Sequence, residues 1–327
     1  MSSAPDEVRA WAQARSEARG AREWAEADRL RAAIEAAGWR VIDQGTRFSL
    51  ELARAPDIVE EGRIHYGASD AVPSRLDEPA TGTISVILVA TDRSADLART
   101  LAALRGHVPP GTEVVIVADR PDPAQEAALL DPAGPAAAAV GAAPPEIVWT
   151  SERLGRAGAL NAGLRRASAP IVLLLDTSVE LTGDLIGPLV AAFDDPSVAV
   201  AGPWGLVSDD LRHFDRAEPG AVDAIDGAAL AFRRADVLDR GRLDERFVLG
   251  LNLDIWWSLV LRDGGEAGPA RRALAIGEDA AIRHEAEPDA SVDPAERDRL
   301  AKRSFHRVLD RFGARRDLLL SGGAPSA

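Results

Sequence analysis

Ala169–Glu180 reads APIVLLLDTSVE. Ile171–Leu175 is a short apolar run headed by Pro170, and it ends abruptly in Asp176-Thr177-Ser178. A run of this length with apolar residues on both faces fits a strand buried inside an open α/β sheet. Ligands of such sheets bind at the carboxyl ends of the strands, so Asp176 stands where a ligand would be. The competing reading makes Asp176 a turn residue, because Asp and Ser are common in turns.

The flanking sequence repeats the pattern. Thr83–Ala90 (TISVILVA), Thr112–Ala118 (TEVVIVA), Glu146–Trp149 and Val198–Gly202 are further strands. Between them, Asp96–Leu104 places Leu97, Leu101 and Leu104 on one helical face. Asp122–Leu130 and Asp184–Phe193 also read as helices, Leu154–Ala167 as a glycine-bearing loop into a helix, and Asp131–Pro145 as an Ala/Pro/Gly-rich loop. Strands alternating with amphipathic helices imply βαβ units and a mainly parallel sheet flanked by helices. Upstream, Trp24, Ala27, Leu30 and Ile34 recur at helical spacing, Gly20 interrupts the run and Gly38 stops it.

The expected organisation is a small helical unit over 1–52, a Pro/Gly-rich linker over 53–82 with some strand character at Arg63–Tyr66, and a main α/β domain over 83–320. Within the main domain one half covers about 83–180 and another about 181–290, with a C-terminal helix over about 295–313. On this plan a chain starting near Pro79 folds. The C-terminal helix, from Ala295 to Phe312, is amphipathic and basic. It either packs on the domain or docks on a membrane surface or partner.

Composition narrows the function. A net charge of −14 over 327 residues argues against general nucleic-acid binding, and no DNA partner is expected. There is no cysteine, which removes disulfides and thiolate metal sites, and Lys302 is the only lysine, which removes nearly all Schiff-base chemistry. No apolar run is long enough to span a bilayer, and the N-terminus has no basic region followed by an apolar core. A cytoplasmic location, with peripheral contact at the inner face of the membrane through the basic helix, is the expectation.

Asp92, Asp119 and Asp176 each follow a buried strand, so three carboxylates converge on one crevice. Between the second and third of them in sequence lies Arg153–Gly163, RLGRAGALNAG, whose glycines allow close backbone approach to a ligand and whose Arg156 can pair with a diphosphate. This ordered set resembles glycosyltransferase family 2, nucleotide-sugar enzymes of the GT-A (Rossmann-like) fold. The family's opening strand and helix match Val86–Arg93 and Leu97–Leu104, with Asp92 in an Asn position and Val89 in place of a proline. Its base-binding Asp matches Asp119, its G-x-x-x-A-x-N-x-G segment matches Gly155–Gly163, and its D-x-D matches Asp176–Ser178. Gly227–Phe247 resembles its acceptor-side segment, and its E-D pair with a later Gly matches Leu253-Asp254 and Gly265. The resemblance runs from about Thr83 to Glu285, and it implies a nucleotide-binding half over about 83–180, an acceptor half over about 181–290, and nucleotide binding kept by a chain starting near Pro79.

The resemblance implies a nucleotide-sugar site at Ala90, Asp92, Asp119, Arg156, Asn161, Asp176 and Ser178, and a general base at Asp254. Acceptor contacts fall to Asp226 and Trp256, with Asp223 a further option for acceptor hydroxyls. Trp256 and Trp257 flank the base and serve either as sugar platforms or as core. Asp254 alternatively caps the helix Ile255–Leu261. A divalent metal, Mg²⁺ or Mn²⁺, would fall to Asp176, with Glu180 or His284 supplying what Ser178 lacks, since a hydroxyl is a poor ligand beside a carboxylate. Pro203–Gly205 and Ser208–Phe214 read as a loop over the acceptor side, with His213 structural. In the N-terminal unit, the text from Ala18 to Leu50 resembles the helical C-terminal appendage of cysteinyl-tRNA synthetases, through Ala27, Asp28, Arg31, Gly38, Asp43, Gly45 and Thr46. That appendage carries no synthetase chemistry, and it would pack, dimerise or touch RNA.

The implied function is inverting transfer of a sugar from a nucleotide-diphosphate donor to a hydroxyl of a carbohydrate or lipid-linked acceptor. Ser178 and Leu253 favour instead a binder of sugar nucleotides that kept the fold without the chemistry. A nucleotidyltransferase would want a basic glycine-rich loop after the first strand, and Thr91–Ser94 supplies none.

Overall fold

The computed structural model describes residues 4–44, 47–264, 269–285 and 292–320; Gly45, Thr46 and Gly265, cited above for family likeness, lie outside them. The chain opens with α1 (Asp6–Gly20), α2 (Trp24–Ala36) and a hairpin of β1 (Trp39–Gln44) and β2 (Arg47–Leu52). Next come β3 (Ile58–Glu60), β4 (Arg63–Tyr66), β5 (Ile84–Ala90), α3 (Ser94–His107), β6 (Thr112–Ala118), α4 (Pro123–Leu130) and β7 (Glu146–Thr150). Then follow α5 (Gly155–Leu164), β8 (Ile171–Leu175), β9 (Val179–Leu181), α6 (Ile186–Ala192), β10 (Val198–Gly202) and β11 (Gly205–Val207). Four more strands, β12 (Asp215–Ala217), β13 (Gly220–Val222), β14 (Ala224–Ile225) and β15 (Ala229–Arg233), lead to α7 (Arg234–Arg240) and α8 (Leu253–Arg262). The chain closes with β16 (Arg272–Ala275), β17 (Ala281–Arg283) and α9 (Pro294–Phe312).

Ten strands form one sheet in the order β13-β16-β10-β15-β8-β5-β6-β7-β4-β3. Its centre, β8-β5-β6-β7-β4, is parallel throughout. The reason is visible in β5, where all seven residues are buried. Side chains alternate across a strand: Ile84, Val86, Leu88 and Ala90 enter one apolar cluster, and Ile87 and Val89 enter the other. β6 and β8 divide in the same way, with Val114, Ile116, Leu173 and Leu175 on one side and Val115, Val117, Val172 and Leu174 on the opposite side. Helices must therefore cover both faces, as expected for a parallel sheet.

α5 lies against the sheet closely enough that a Cβ on Gly163 would sit 2.5 Å from Ile87 Cγ2. Gly163 is thus a packing glycine, and so is Gly158, whose added Cβ would meet Leu154 at 2.9 Å. Neither serves approach to a ligand, which differs from the sequence expectation.

The stretch 53–82 is not a free linker. β4 pairs in parallel with β7 (His65↔Trp149), which makes β3–β4 the edge of the main sheet. Val72 is buried in the main core, and Arg234, itself buried, donates to the carbonyls of Arg75 (2.9 Å) and Glu78 (2.6 Å). The main domain therefore begins before Thr83. Upstream, Ala4, Val8, Ala12, Ile34 and Trp39 form a separate small core, and Arg15 forks onto Asp43 at 2.9 and 3.1 Å. α9 buries Ser304, Val308 and Phe312 and lays Arg311 over the Trp256 ring, so its apolar stripe packs on α8. Among the described residues, no helix is long and apolar enough to cross a membrane.

Candidate active site

Two clefts meet at the carboxyl ends of the central strands. The first, about 510 Å³, is lined by the ends of β5 and β6 (Ala90, Thr91, Asp92, Asp119), by Gly155 and Arg156 at the start of α5, and by Asp176–Ser178 after β8. The second, about 370 Å³, is lined by Asp226, Gly227, Asp254, Trp257 and Arg283. Arg156, Asp176, Ser178 and Leu249 belong to both. The convergence expected from strand ends is therefore real: Asp92, Asp119 and Asp176 share one crevice.

Asp119 sits at the bottom of the first cleft. Its Oδ1 accepts the Leu154 N–H (2.7 Å) and the Thr150 hydroxyl (3.1 Å). Burial raises its carboxyl above the ordinary value, against those bonds and the charge of Arg153. The same carboxylate thus fixes the turn that launches α5. Replacing Asp119 by Ala leaves the Leu154 N–H without its acceptor, while the Thr150 hydroxyl keeps the Ala118 carbonyl at 3.3 Å, which costs about 1–3 kcal/mol. Urea unfolding should show that loss, and nucleotide binding should weaken with it. An unchanged melting curve with unchanged binding would remove Asp119 from both roles.

Asp176 stands at the junction of the clefts. Its Oδ2 meets Arg156 Nη2 at 3.0 Å and its Oδ1 accepts the Ser178 N–H at 2.9 Å. Burial pushes this carboxyl up, but the Arg156 charge and the Ser178 bonds outweigh it and hold the group below its usual value. Arg156 is placed from two sides. Its own N–H donates to the Val248 carbonyl at 2.6 Å, and Gly250, at φ +74°, leaves room for its side chain, where a Cβ would come within 2.7 Å of Arg156 Cγ. The opening N–H groups of α5 are spent within the protein, those of Leu154 and Gly155 on Asp119 and that of Arg156 on Val248, so the cationic group this end offers the cleft is the Arg156 side chain.

Asp254 lies in the first turn of α8. Its Oδ2 accepts the Gly227 N–H at 3.0 Å and its Oδ1 the Ile255 N–H at 2.9 Å. It is not the helix cap; Asn252 occupies that position with φ +61°. Burial, aided by the neighbouring Asp226 carboxylate, pushes the Asp254 carboxyl up to about 6. Asp226 is itself held by Arg283 (2.7 Å) and by the Ala228 N–H (2.9 Å).

Several expected site residues stand elsewhere. Asn161 is buried in α5 and fully engaged with the 243–245 loop, through Leu243 N–H and carbonyl and Glu245, so it is a pin for that loop and lines neither cleft. Trp256 is core, packed on Phe247 and covered by Arg311, while its neighbour Trp257 lines the second cleft. Asp223 is buried and accepts the N–H groups of Ser208 and Leu320, which makes it structural. His213 is exposed and bonded to Asp210 (2.8 Å), as a structural residue would be. Leu253, in the Glu position of the family pair, is buried apolar surface.

The proposed metal set does not assemble. Glu180 Oε2 is 2.7 Å from His284 Nε2 and 3.8 Å from Arg99, and neither Glu180 nor His284 lines either cleft. Asp176 is turned to Arg156 instead. Among the described residues no group of three or more His, Asp or Glu side chains is arranged to hold a metal ion. Arg283 and Arg297 are lining residues that sequence reasoning missed. Arg283 arrives because β17 pairs with β9, Arg283 opposite Val179, a contact between residues far apart in sequence.

Residues 85–242 match the family model described as glycosyl transferase family 2. Among solved structures, the chain is similar to GalNAc-T7 with UDP, GalNAc and Mn²⁺, at 16% identity and a TM-score of 0.52, over 72% of this chain and 48% of that one. It is also similar to the mannosyltransferase PcManGT from Pyrobaculum calidifontis in complex with GDP-Man and Mn²⁺, at 18% identity and a TM-score of 0.51, over 74% of this chain and 69% of that one. This chain thus spans about half the length of the first. Identities this low establish a shared fold and no more. No curated protein matches the chain.

Proposed function

We propose, from the membership of residues 85–242 in glycosyltransferase family 2, that this chain moves a sugar from a nucleoside-diphosphate donor to an acceptor hydroxyl with inversion at the anomeric carbon. The observation that carries the reading is the junction of two clefts at Arg156, Asp176 and Ser178, with Asp254 in the wall of the second. The first cleft takes the nucleotide, base toward Asp119 and diphosphate toward Arg156. The second takes the acceptor, a carbohydrate or a lipid-linked sugar, beside Asp226 and Trp257.

The chemistry needs two things. The acceptor oxygen must lose its proton as it attacks, and the diphosphate must leave with its new charge compensated. Asp254 accepts that proton; two backbone N–H groups hold its oxygens in place. As the new C–O bond forms on one face of the anomeric carbon, the bond to the β-phosphate oxygen breaks on the other, and the electron pair stays with the diphosphate. The Arg156 guanidinium meets that charge. Attack from the acceptor cleft on a sugar held from the donor cleft is a single displacement, hence inversion.

A panel of nucleotide sugars offered to the full chain tests this. The proposal expects one donor to raise the melting temperature, because a ligand bound by the folded state stabilises it, and to be consumed with release of a nucleoside diphosphate. Binding without consumption, with any acceptor sugar added, would leave the sugar-nucleotide binder that Leu253 and Ser178 favour.

A further inference from the structure

We propose that this chain holds its donor's diphosphate without a divalent cation, on a pair of arginines, Arg156 and Arg283, that neutralise the junction in the cation's place. The inference rests on the donor reading above. Its starting point is how the carboxylates near the junction are occupied. A Mg²⁺ or Mn²⁺ ion needs several oxygen ligands turned toward one point. Here the oxygens are turned to other partners: Asp176 to Arg156 and the Ser178 N–H, Asp226 to Arg283 and the Ala228 N–H. The third position of the D-x-D pattern is Ser178, whose backbone N–H is the group that holds Asp176 Oδ1, at 2.9 Å. Glu180, two residues on, is engaged with His284 at 2.7 Å, and His284 itself is tied by its N–H to the Ser178 carbonyl at 2.9 Å; neither side chain is among those lining the clefts. Among the described residues the set does not fit a divalent metal.

The cationic side of the same junction is well built. Arg156 lines both clefts, and Arg283 lines the second and acts on Asp176 as well as on Asp226. Arg297, from α9, stands in the wall of the first. A guanidinium carries five N–H donors in a fixed plane, so one that spends a donor on a carboxylate keeps others for phosphate oxygens. Such charge-assisted forks suit a diphosphate. An incoming diphosphate therefore finds two paired arginines whose carboxylate partners hold them in place, which is the arrangement a cation would otherwise supply. Arg283 is where a β17–β9 pairing puts it, and Arg156 is where the Val248 carbonyl and Gly250 allow it to be.

The test is calorimetric titration of the full chain with UDP, GDP, ADP and CDP, once with EDTA and once with Mn²⁺. For the diphosphate that binds, the two dissociation constants should agree within about threefold. Arg156→Ala and Arg283→Ala should each weaken binding about tenfold or more in EDTA, the share of one hydrogen bond to a charged group, and Arg156→Lys should recover part of it. Melting curves identify a variant that fails to fold. Manganese electron paramagnetic resonance on the unmutated chain with the bound diphosphate, compared with the same Mn²⁺ and diphosphate without protein, provides a reading that no folding defect can confuse; because the diphosphate chelates Mn²⁺ by itself, the protein should cause no further loss of the free-ion signal. Binding tightened about tenfold or more by Mn²⁺, a further loss of the free Mn²⁺ signal when the protein is added, or folded arginine variants that bind normally would each overturn the inference while leaving the glycosyltransferase reading standing. No binding of any diphosphate under either condition would overturn both.

Discussion

Replacing Asp254 by Asn is expected to lower sugar transfer by roughly two to four powers of ten, the usual share of general-base catalysis, while nucleotide binding stays as it was. The separation follows from placement. Asp254 lies in the wall of the acceptor cleft, and its oxygens are held by the Gly227 and Ile255 N–H groups rather than by the arginines assigned to the diphosphate, so its loss leaves the nucleotide contacts in place. The pH dependence has a definite sign. Only the ionised carboxylate takes a proton, and burial has raised its carboxyl to about 6. Turnover should therefore be full above that value and fall about tenfold per pH unit below it. The Asp254→Asn protein should lack this limb.

Stability adds a check on the same residue. A carboxyl that binds its proton more tightly folded than unfolded favours the folded state while protonated, and that contribution is lost as pH rises from its ordinary value, 3.8, toward about 6. At neutral pH the Asn variant is relieved of a buried charge but gives up one of two backbone bonds, so its melting temperature should stay close to that of the unmutated chain. A large drop would show that Asp254 is structural. Full transfer by a folded variant would remove the base from the mechanism.

The centre of this fold is legible in the sequence because its strands are buried on both faces. β8 appears as an unbroken apolar run, and β5 and β6 as apolar runs interrupted only by Ser85 and by Thr112 and Glu113 near their starts, each with Asp at or just beyond its end. The edge is harder. β3 and β4 are three and four residues long and owe their order to pairing with β7, not to their own pattern. The site divides along the same line. Asp92, Asp119 and Asp176 were readable because a parallel sheet puts its strand ends together. Arg283 was not, because a strand pairing across about a hundred residues of sequence brings it in.

Trp256 and Trp257 show a finer limit. Adjacent residues on a helix point about 100° apart, so the two meet different neighbours. Both belong to the core, Trp257 against Phe232 and Trp256 against Phe247 and Arg311, and the rotation of α8 brings Trp257 to the wall of the second cleft. Asn161 shows a third. An amide in a glycine-rich helix at a strand end suits a ligand as well as it suits a loop. Only the positions of Leu243 and Glu245 decide for the loop.

A chain beginning at Ala53 should fold and bind nucleotide like the full chain, whereas one beginning at Pro79 should not fold. The first cut removes α1, α2 and the β1–β2 hairpin, which keep their own apolar core and the Arg15–Asp43 pair. The second cut also removes what the main domain uses. It strips β4 from β7, and with it the Tyr66 carbonyl that accepts the Ser151 N–H at 2.9 Å, next to the Thr150 hydroxyl that serves Asp119. It takes Val72 out of the core. It deprives Arg234, 7% exposed, of the carbonyls of Arg75 and Glu78, which leaves a buried guanidinium short of acceptors. Lost bonds to a charged group cost about 1.5–3 kcal/mol each, and the emptied site of a buried apolar side chain a similar amount. Together these approach the whole stability of a domain, about 5–15 kcal/mol. Circular dichroism melts of the two shortened chains decide it. A cooperative transition in the Pro79 chain would show that residues 53–78 lie on the domain without holding it together, and loss of folding in the Ala53 chain would make the N-terminal unit part of the main core.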